Sequence, residues 1–188
     1  DAVIMREHVY FDNSGQAELR AAVPPYQNIR ALGEDIAETE LLLAPGHRIR
    51  AIDIAASVAA GHKEIQVRRR TCVAIIPTGD ELRPLGTTLL PGEITDTNSL
   101  MLAGQAQNIG ALTEITPIVQ DDPTELRSAI EAACRGADLV LVLAGSSAGR
   151  DDHTANVISE AGVLSAHGIS VRPGHPVALG VVSQTPVI

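Results

Sequence analysis

The chain has 188 residues, of which 45% are hydrophobic and only 2% aromatic, with 14 basic and 23 acidic side chains and a net charge of −9. This length suits one or two domains whose core is built from Leu, Ile, Val and Ala. The acidic balance argues against a nucleic-acid or membrane surface, and no apolar run approaches the ~20 residues that span a bilayer.

Cys72 and Cys134 lie far apart and form neither a metal spacing nor a disulfide framework, which points to a reducing cytoplasm. The opening "DAVIM" lacks an initiator methionine and a signal-like n-region, so it reads as the cut edge of a longer polypeptide.

Three textures follow one another along the chain. Residues 1–27 read as short strands, "DAVIM", "HVYF" and "ELRAAV", with a hairpin turn at "DNSG" and a stop at Pro24-Pro25. Residues 28–70 hold a turn at Ala44-Pro45-Gly46-His47 and then "RAIDIAASVAAGH", where Ile49, Ile52, Ala56 and Ala59 recur at helical spacing and Gly61 ends the helix. The "RRR" run at 68–70 is too short for a nucleic-acid surface and reads as the cap of a domain edge or linker.

From Thr71 the pattern becomes regular. "CVAIIP" is a continuous apolar run, the mark of a strand buried on both faces. A long acidic loop follows, then a helix from about Thr97 to Gly110 and a strand at "LTEITPI". "DDPTELRSAIEAACRG" is a helix capped by Asp122, with Pro123 in its first turn and Gly136 at its end. "ADLVLVLAG" is a third strand, "DDHTANVISEAG" a third helix, and "VLSAHGISV" and "PVALGVV" are further short strands. Strands alternating with helices predict an α/β fold over 71–188, with a doubly wound, mostly parallel sheet, preceded by a partial α+β segment.

Ligands of such sheets sit beyond the carboxyl ends of the strands. Three loops meet that description. The first carries Thr78, Gly79, Asp80, Glu81, Glu93 and Asp96, the second Asp121 and Asp122, and the third is "LAGSSAGRDDHT", which leads into a helix. Each feature has a plain structural reading, because Asp122, Asp151 and Asp152 can cap helices and Gly/Ser loops are common turns. Together they suggest an anion cradle at a helix start, with Mg²⁺ mediating between carboxylates and phosphate. The histidines show no paired ligand spacing, and neither a nucleophile elbow nor a phosphate loop ending in Gly-Lys-Ser/Thr is present.

"VAIIPTGDEL", "LPGEITDTNS", "DDPTELRSAI", "AGSSAGRDDHT" and "VRPGHPVALG" resemble, in order and spacing, motifs of the molybdopterin molybdenumtransferase family, MoeA with its gephyrin relatives. The upstream "VPPYQNIRALGEDI" and "LLLAPGHRI" are similar to that family too. The resemblance implies a MogA/MoeA-like molybdopterin-binding domain over 71–188, the tail of a β-rich inserted domain over 1–27 and part of an elongated domain over 28–70. It implies insertion of molybdate into adenylylated molybdopterin with Mg²⁺-dependent release of AMP, in a cytoplasmic, homodimeric parent with a MogA-type adenylyltransferase as partner.

Carried over residue by residue, the resemblance places Asp35, Glu81, Asp121 and Asp152 as catalytic acids, the last three also on the metal. It places Thr78, Gly79, Asp80, Asp96, Asn98, Gly145, Ser146, Ser147, Gly149, Pro173, Gly174, His175 and Pro176 around the pterin ligand. Two departures stand out. The family's "GGVSVG" is "AGSSAG" here, with Ala144 for the first glycine and Ser147 after Ser146, and His175 stands where the family has Lys. A β-carbon at a close backbone approach and a mostly neutral imidazole both weaken an anion site. They favour the alternative of a non-catalytic molybdopterin-binding module, while a CinA-type nucleotide-processing enzyme is a second alternative on the same fold.

Overall fold

The computed structural model describes residues 1–143, 153–172, 174 and 176–188, which divide into two compact units, Asp1–Val67 and Arg68–Ile188. In the first unit a 3₁₀ turn at Arg6–His8 leads into a hairpin of β1 (Val9–Phe11) and β2 (Ala17–Leu19). Its turn is the expected "DNSG": Asp12 Oδ1 accepts from Ser14 N–H and Gln16 N–H, both at 2.8 Å. The opening "DAVIM" is not a strand. It runs beside 26–28 through isolated bonds, Val3 N–H to Gln27 O and Tyr26 N–H to Asp1 O, while the left-handed φ of Tyr26 and Asn28 prevents a ladder.

Helix α1 (Ala51–Ala59) forms where helical spacing predicts it, but it buries an unexpected face. Asp53 and Ser57 are buried, whereas Ile52 and Val58 are each 65% exposed. The cause is a polar lock. The Asp53 carboxylate accepts from Arg50 N–H, the Arg50 guanidinium and His47 Nε2, the last at 2.7 Å. Arg50 first and His47 second hold Asp53 far below the usual carboxylate range.

In the second unit, β3 (Cys72–Pro77) is the buried strand expected from "CVAIIP". It is followed by the short pair β4 (Leu82–Arg83) and β5 (Ile94–Thr95), α2 (Asn98–Asn108), β6 (Leu112–Ile115), α3 (Pro123–Cys134) and β7 (Leu139–Leu143). Then come α4 (His153–Ala161), β8 (Val163–His167), β9 (Ala178–Val182) and β10 (Thr185–Val187). Asp122 caps α3 as predicted, accepting from Thr124 N–H and Glu125 N–H at 2.9 Å.

Among the described residues the main sheet has the order β6-β3-β7-β10-β9-β8. The first four strands are parallel, and β9 runs antiparallel to both β10 and β8. The sheet is thus mixed and mostly parallel, as the alternating elements predict. Strand β10 carries no signal that reads as a strand in the sequence. It is reached through Ser183-Gln184, both at positive φ (49° and 71°), a tight hairpin turn made without the usual Asn-Gly. The strand expected at "VLSAHGISV" is shorter than its sequence suggests, because Gly168 turns away at φ 86°.

Alternation along β3 divides the core. Val73 and Ile75 pack with Ala103 of α2 on one face, while Ala74 and Ile76 pack with Ile130 of α3 and Ile158 of α4 on the other. Each fully buried Ile contributes roughly 1.5–3 kcal/mol. The sheet is thereby clamped between helices on both faces.

The entrance to β3 is secured by charge. Asp138 takes a two-pronged ion pair from Arg69 and also accepts from Cys72 N–H at 2.8 Å, while Arg70 donates to the carbonyls of Gly110 and Ala111. The arginine run is therefore the edge cap its length suggested. Cys72 and Cys134 are both free thiols, and among the described residues no helix is long and apolar enough to cross a membrane.

Two glycines test this packing in opposite directions. Gly104 in α2 has open space where a β-carbon would go, so Gly104→Ala is expected to stabilise the chain by roughly 0.5–1 kcal/mol. A β-carbon on Gly180 would strike the Ile158 side chain and the Val163 carbonyl, so Gly180→Ala should destabilise by about 1–3 kcal/mol. Urea denaturation of both variants reads the signs, and equal effects would contradict the packing described.

Candidate functional site

The order of the sheet locates the crevice. From β3 the chain crosses to β6 on one side, then steps back over β3 to β7 on the other, so the direction of winding reverses between β3 and β7. Crevices of doubly wound sheets open at the carboxyl ends of such a strand pair. Thr78 closes the base of this one. Its N–H and its Oγ1 both donate to Leu143 O, at 2.9 and 3.0 Å, joining the end of β3 to the end of β7. Its side chain is buried there despite its polarity, because both donors are satisfied.

Immediately after Thr78 the backbone turns at Gly79, which has φ 148°. A β-carbon there would stand 2.7 Å from Glu81 Oε2, so the Glu81 carboxylate folds back against a position only glycine leaves open. Across the strand ends, Asp121 N–H donates to Asp80 Oδ1 at 3.1 Å. Thr78, Gly79, Asp80, Glu81 and Asp121 are thus brought to one end of the sheet by β3 and β6. Among the described residues neither the Glu81 nor the Asp121 carboxylate is engaged in an ion pair.

The long acidic loop is a folded object. Ile94 N–H donates to Glu81 O and Asp96 N–H to Arg83 O, so its two ends run parallel as β4 and β5. Glu93 accepts from Arg83 Nε and from Leu90 N–H, both at 2.8 Å, and the Leu90 N–H, helped by the Arg83 guanidinium, lowers its pKa. The Asp96 carboxylate is committed to Ser99, accepting from its N–H at 3.1 Å and from its hydroxyl at the start of α2. Asn98, the first residue of α2, is exposed beside it.

The other sequence-derived candidates fall elsewhere. Asp35 stands in the first unit, where Arg30 Nη1 pairs with it at 2.9 Å on an exposed surface. Gly174 and Pro176 lie in the loop from β8 to β9. Because β8 is parallel to β7 by way of β10 and β9, this loop emerges at the same end of the sheet as Thr78. It is three to four strands away from β3, about 14–19 Å. Ala144, Gly145, Ser146, Ser147, Gly149, Asp152, Pro173 and His175 lie outside the described residues.

Among the described residues no group of three His, Cys, Asp or Glu side chains could hold a metal ion. Two clefts, of about 560 and 590 Å³, lie away from these carboxylates. One runs between β6 and α3, the other at the foot of β3 beside Arg69 and Arg70. Neither is lined by Glu81 or Asp121, so the strand-end crevice is identified by topology and chemistry instead of concavity.

Comparison with known proteins bears on the family and the fold. Residues 74–188 match the family described as "Probable molybdopterin binding domain", and residues 1–61 match the "MoeA N-terminal region (domain I and II)". The chain belongs to the molybdopterin-binding domain family, as a portion similar to MoeA. It is 31% identical over 180 residues to the molybdopterin molybdenumtransferase of Haemophilus influenzae, covering 96% of this chain and 45% of that protein. The crystal structure of a molybdopterin biosynthesis MoeA protein from Pyrococcus horikoshii superposes with a TM-score of 0.85 at 34% identity, covering 100% of this chain and 46% of that one. The chain therefore spans about half the length of the relatives it matches. A CinA protein of Thermoplasma acidophilum, 19% identical with a TM-score of 0.51, shares the fold over 63% of this chain.

The Glu93 arrangement has a pH signature. Its folded pKa is lowered, so its contribution is fully present above the ordinary value of 4.5 and is lost as pH falls through the folded pKa. After correction for intrinsic rates, amide exchange at Leu90 and Ile94 should quicken in the native chain as pH falls below the ordinary carboxylate value of 4.5 and through the lowered folded one. Glu93→Gln, which keeps an acceptor for Leu90 N–H but has no charge to titrate, should show no such step. A flat native profile would contradict the account.

Proposed function

We propose that this chain is the molybdopterin-binding part of a molybdenumtransferase, acting in molybdenum cofactor biosynthesis to insert molybdate into adenylylated molybdopterin with release of AMP. The observation that supports this most is the pair Glu81 and Asp121, presented from adjacent strand ends beside the point where the sheet reverses and, among the described residues, without ion-pair partners. Thr78 fixes the floor, and the pterin and its phosphates would lie above it against the loop that follows β7. Gly174 and Pro176 would meet the ligand's far end.

Oxygen donors such as Glu81 and Asp121, joined by Asp152, suit a hard cation, and Mg²⁺ held there would screen the charge of the phosphates. In this reading Glu81 and Asp121 also orient water near the phosphoanhydride. The parent protein would be a cytoplasmic homodimer that receives its substrate from a MogA-type adenylyltransferase. With a net charge of −9, neither nucleic acid nor a lipid surface is a partner in this scheme.

The second reading, a module that binds molybdopterin without turning it over, is favoured by Ala144, Ser147 and His175 at positions where the family has other residues. The CinA-type reading is disfavoured, because similarity to MoeA extends through residues 1–61, outside the shared fold.

Calorimetric titration of the chain with molybdopterin, with and without Mg²⁺, tests the proposal. Binding should require Mg²⁺, and Glu81→Gln and Asp121→Asn should each weaken it by about tenfold or more, since a hydrogen bond to a charged group is worth ~1.5–3 kcal/mol. Binding that ignores both substitutions would sink this assignment of the site. In the longer parent, AMP release upon adding molybdate separates the enzyme from the binding module, whose turnover His175→Lys would not restore.

A further inference from the structure

The last rung between β3 and β6 is made by a side chain. Beyond the regular strands, Thr78 faces Val119 in a parallel bridge, with Val119 N–H donating to Pro77 O at 2.9 Å and Gly79 N–H donating to Val119 O at 3.1 Å. In a parallel ladder the next donor on this side is Asp121 N–H, and its regular acceptor is the Gly79 carbonyl. That carbonyl is already taken. As the chain swings out at Gly79, Leu82 N–H donates to it at 3.1 Å and closes the turn. Asp121 N–H meets Asp80 Oδ1 instead, also at 3.1 Å.

We infer that Asp80 is a positioning residue, whose carboxylate oxygen stands in for the diverted Gly79 carbonyl and holds the Asp121 segment beside the turn that carries Glu81. The inference rests on the reading above, in which Glu81 and Asp121 serve one site. It gives Asp80 a different part from the pterin contact that family resemblance implies. The Asp121-Asp122 segment is then pinned twice, at the Asp121 N–H by Asp80 and at the Asp122 carboxylate by the first turn of α3. Of these carboxylates, that of Asp121 stays uncommitted among the described residues, and the double pin holds its backbone beside the turn that carries Glu81. What this task requires of residue 80 is an acceptor oxygen; charge is dispensable.

Asparagine keeps the carbonyl oxygen and loses the charge, whereas alanine loses both, so Asp80→Asn and Asp80→Ala separate the two roles. Exchange of the Asp121 amide, followed by ¹⁵N NMR on the whole chain, should be within about threefold of native in Asp80→Asn and about tenfold faster in Asp80→Ala, as befits a lost hydrogen bond of ~1.4 kcal/mol. Affinity for molybdopterin with Mg²⁺ should follow the same order, native and Asn alike and Ala weaker by about tenfold, as for other residues that orient a ligating group. An Asn variant as impaired as the Ala variant would mean that the charge acts directly and would overturn the inference. So would an Asp121 amide indifferent to Asp80→Ala. If the native chain fails to bind molybdopterin, the functional reading falls, while the amide measurement still decides what Asp80 does.

Discussion

The structure of the second unit depends on β3 being held at both ends and buried on both sides. At its entrance Arg69 and the Cys72 N–H converge on Asp138; at its exit Thr78 donates twice to Leu143 O. Between them Ile75 and Ile76 are fully buried against opposite layers of helix. A strand fixed in this way has little freedom in register, since a slip of one residue would turn every apolar side chain to the wrong face. The position of everything after Pro77, including Gly79 and Glu81, follows from that constraint. The site is on a loop, but its first residues inherit the rigidity of the central strand.

The acidic residues of the two strand-end loops have sorted themselves into two groups. Glu93, Asp96 and Asp122 each accept backbone N–H groups or pair with Arg83, so their charges are absorbed in holding the loop and in starting α2 and α3. Glu81 and Asp121 lack such engagements among the described residues. Crowding of carboxylates is tolerable because structural partners neutralise part of it, which leaves a smaller residual charge for a ligand or a cation to offset. This division explains how the strand ends can hold many acids without the mutual repulsion their count suggests.

Much of this was legible in the sequence. "CVAIIP" announces a strand buried on both faces, and "DDPTELRSAI" a capped helix, because both depend on local patterns that tertiary context did not override. The first unit was less readable. The apolar spacing of α1 predicts the helix, yet Asp53 and Ser57 face inward because a buried carboxylate with three donors outweighs apolar periodicity. Strand β10 was invisible because Ser183-Gln184 adopts a turn normally signalled by Asn-Gly. At the candidate site, likeness to a family nominates Glu81 and Asp121, but the bond between Asp80 and Asp121 is not readable, since it joins residues 41 positions apart. No local pattern reports a side chain that replaces a backbone carbonyl.

The arginine clamp at the foot of β3 also has a mechanical meaning. Arg69 lies one residue after the start of the second unit, and its guanidinium grips Asp138 at the beginning of β7. A pull along the chain from the preceding segment therefore loads a two-pronged ionic grip before it reaches the hydrogen-bond ladder of β3. That grip acts in shear across two neighbouring strands and spreads the force into the middle of the sheet. Load entering at Arg69 is therefore taken up at the foot of β3, at the opposite end of the strand from Thr78.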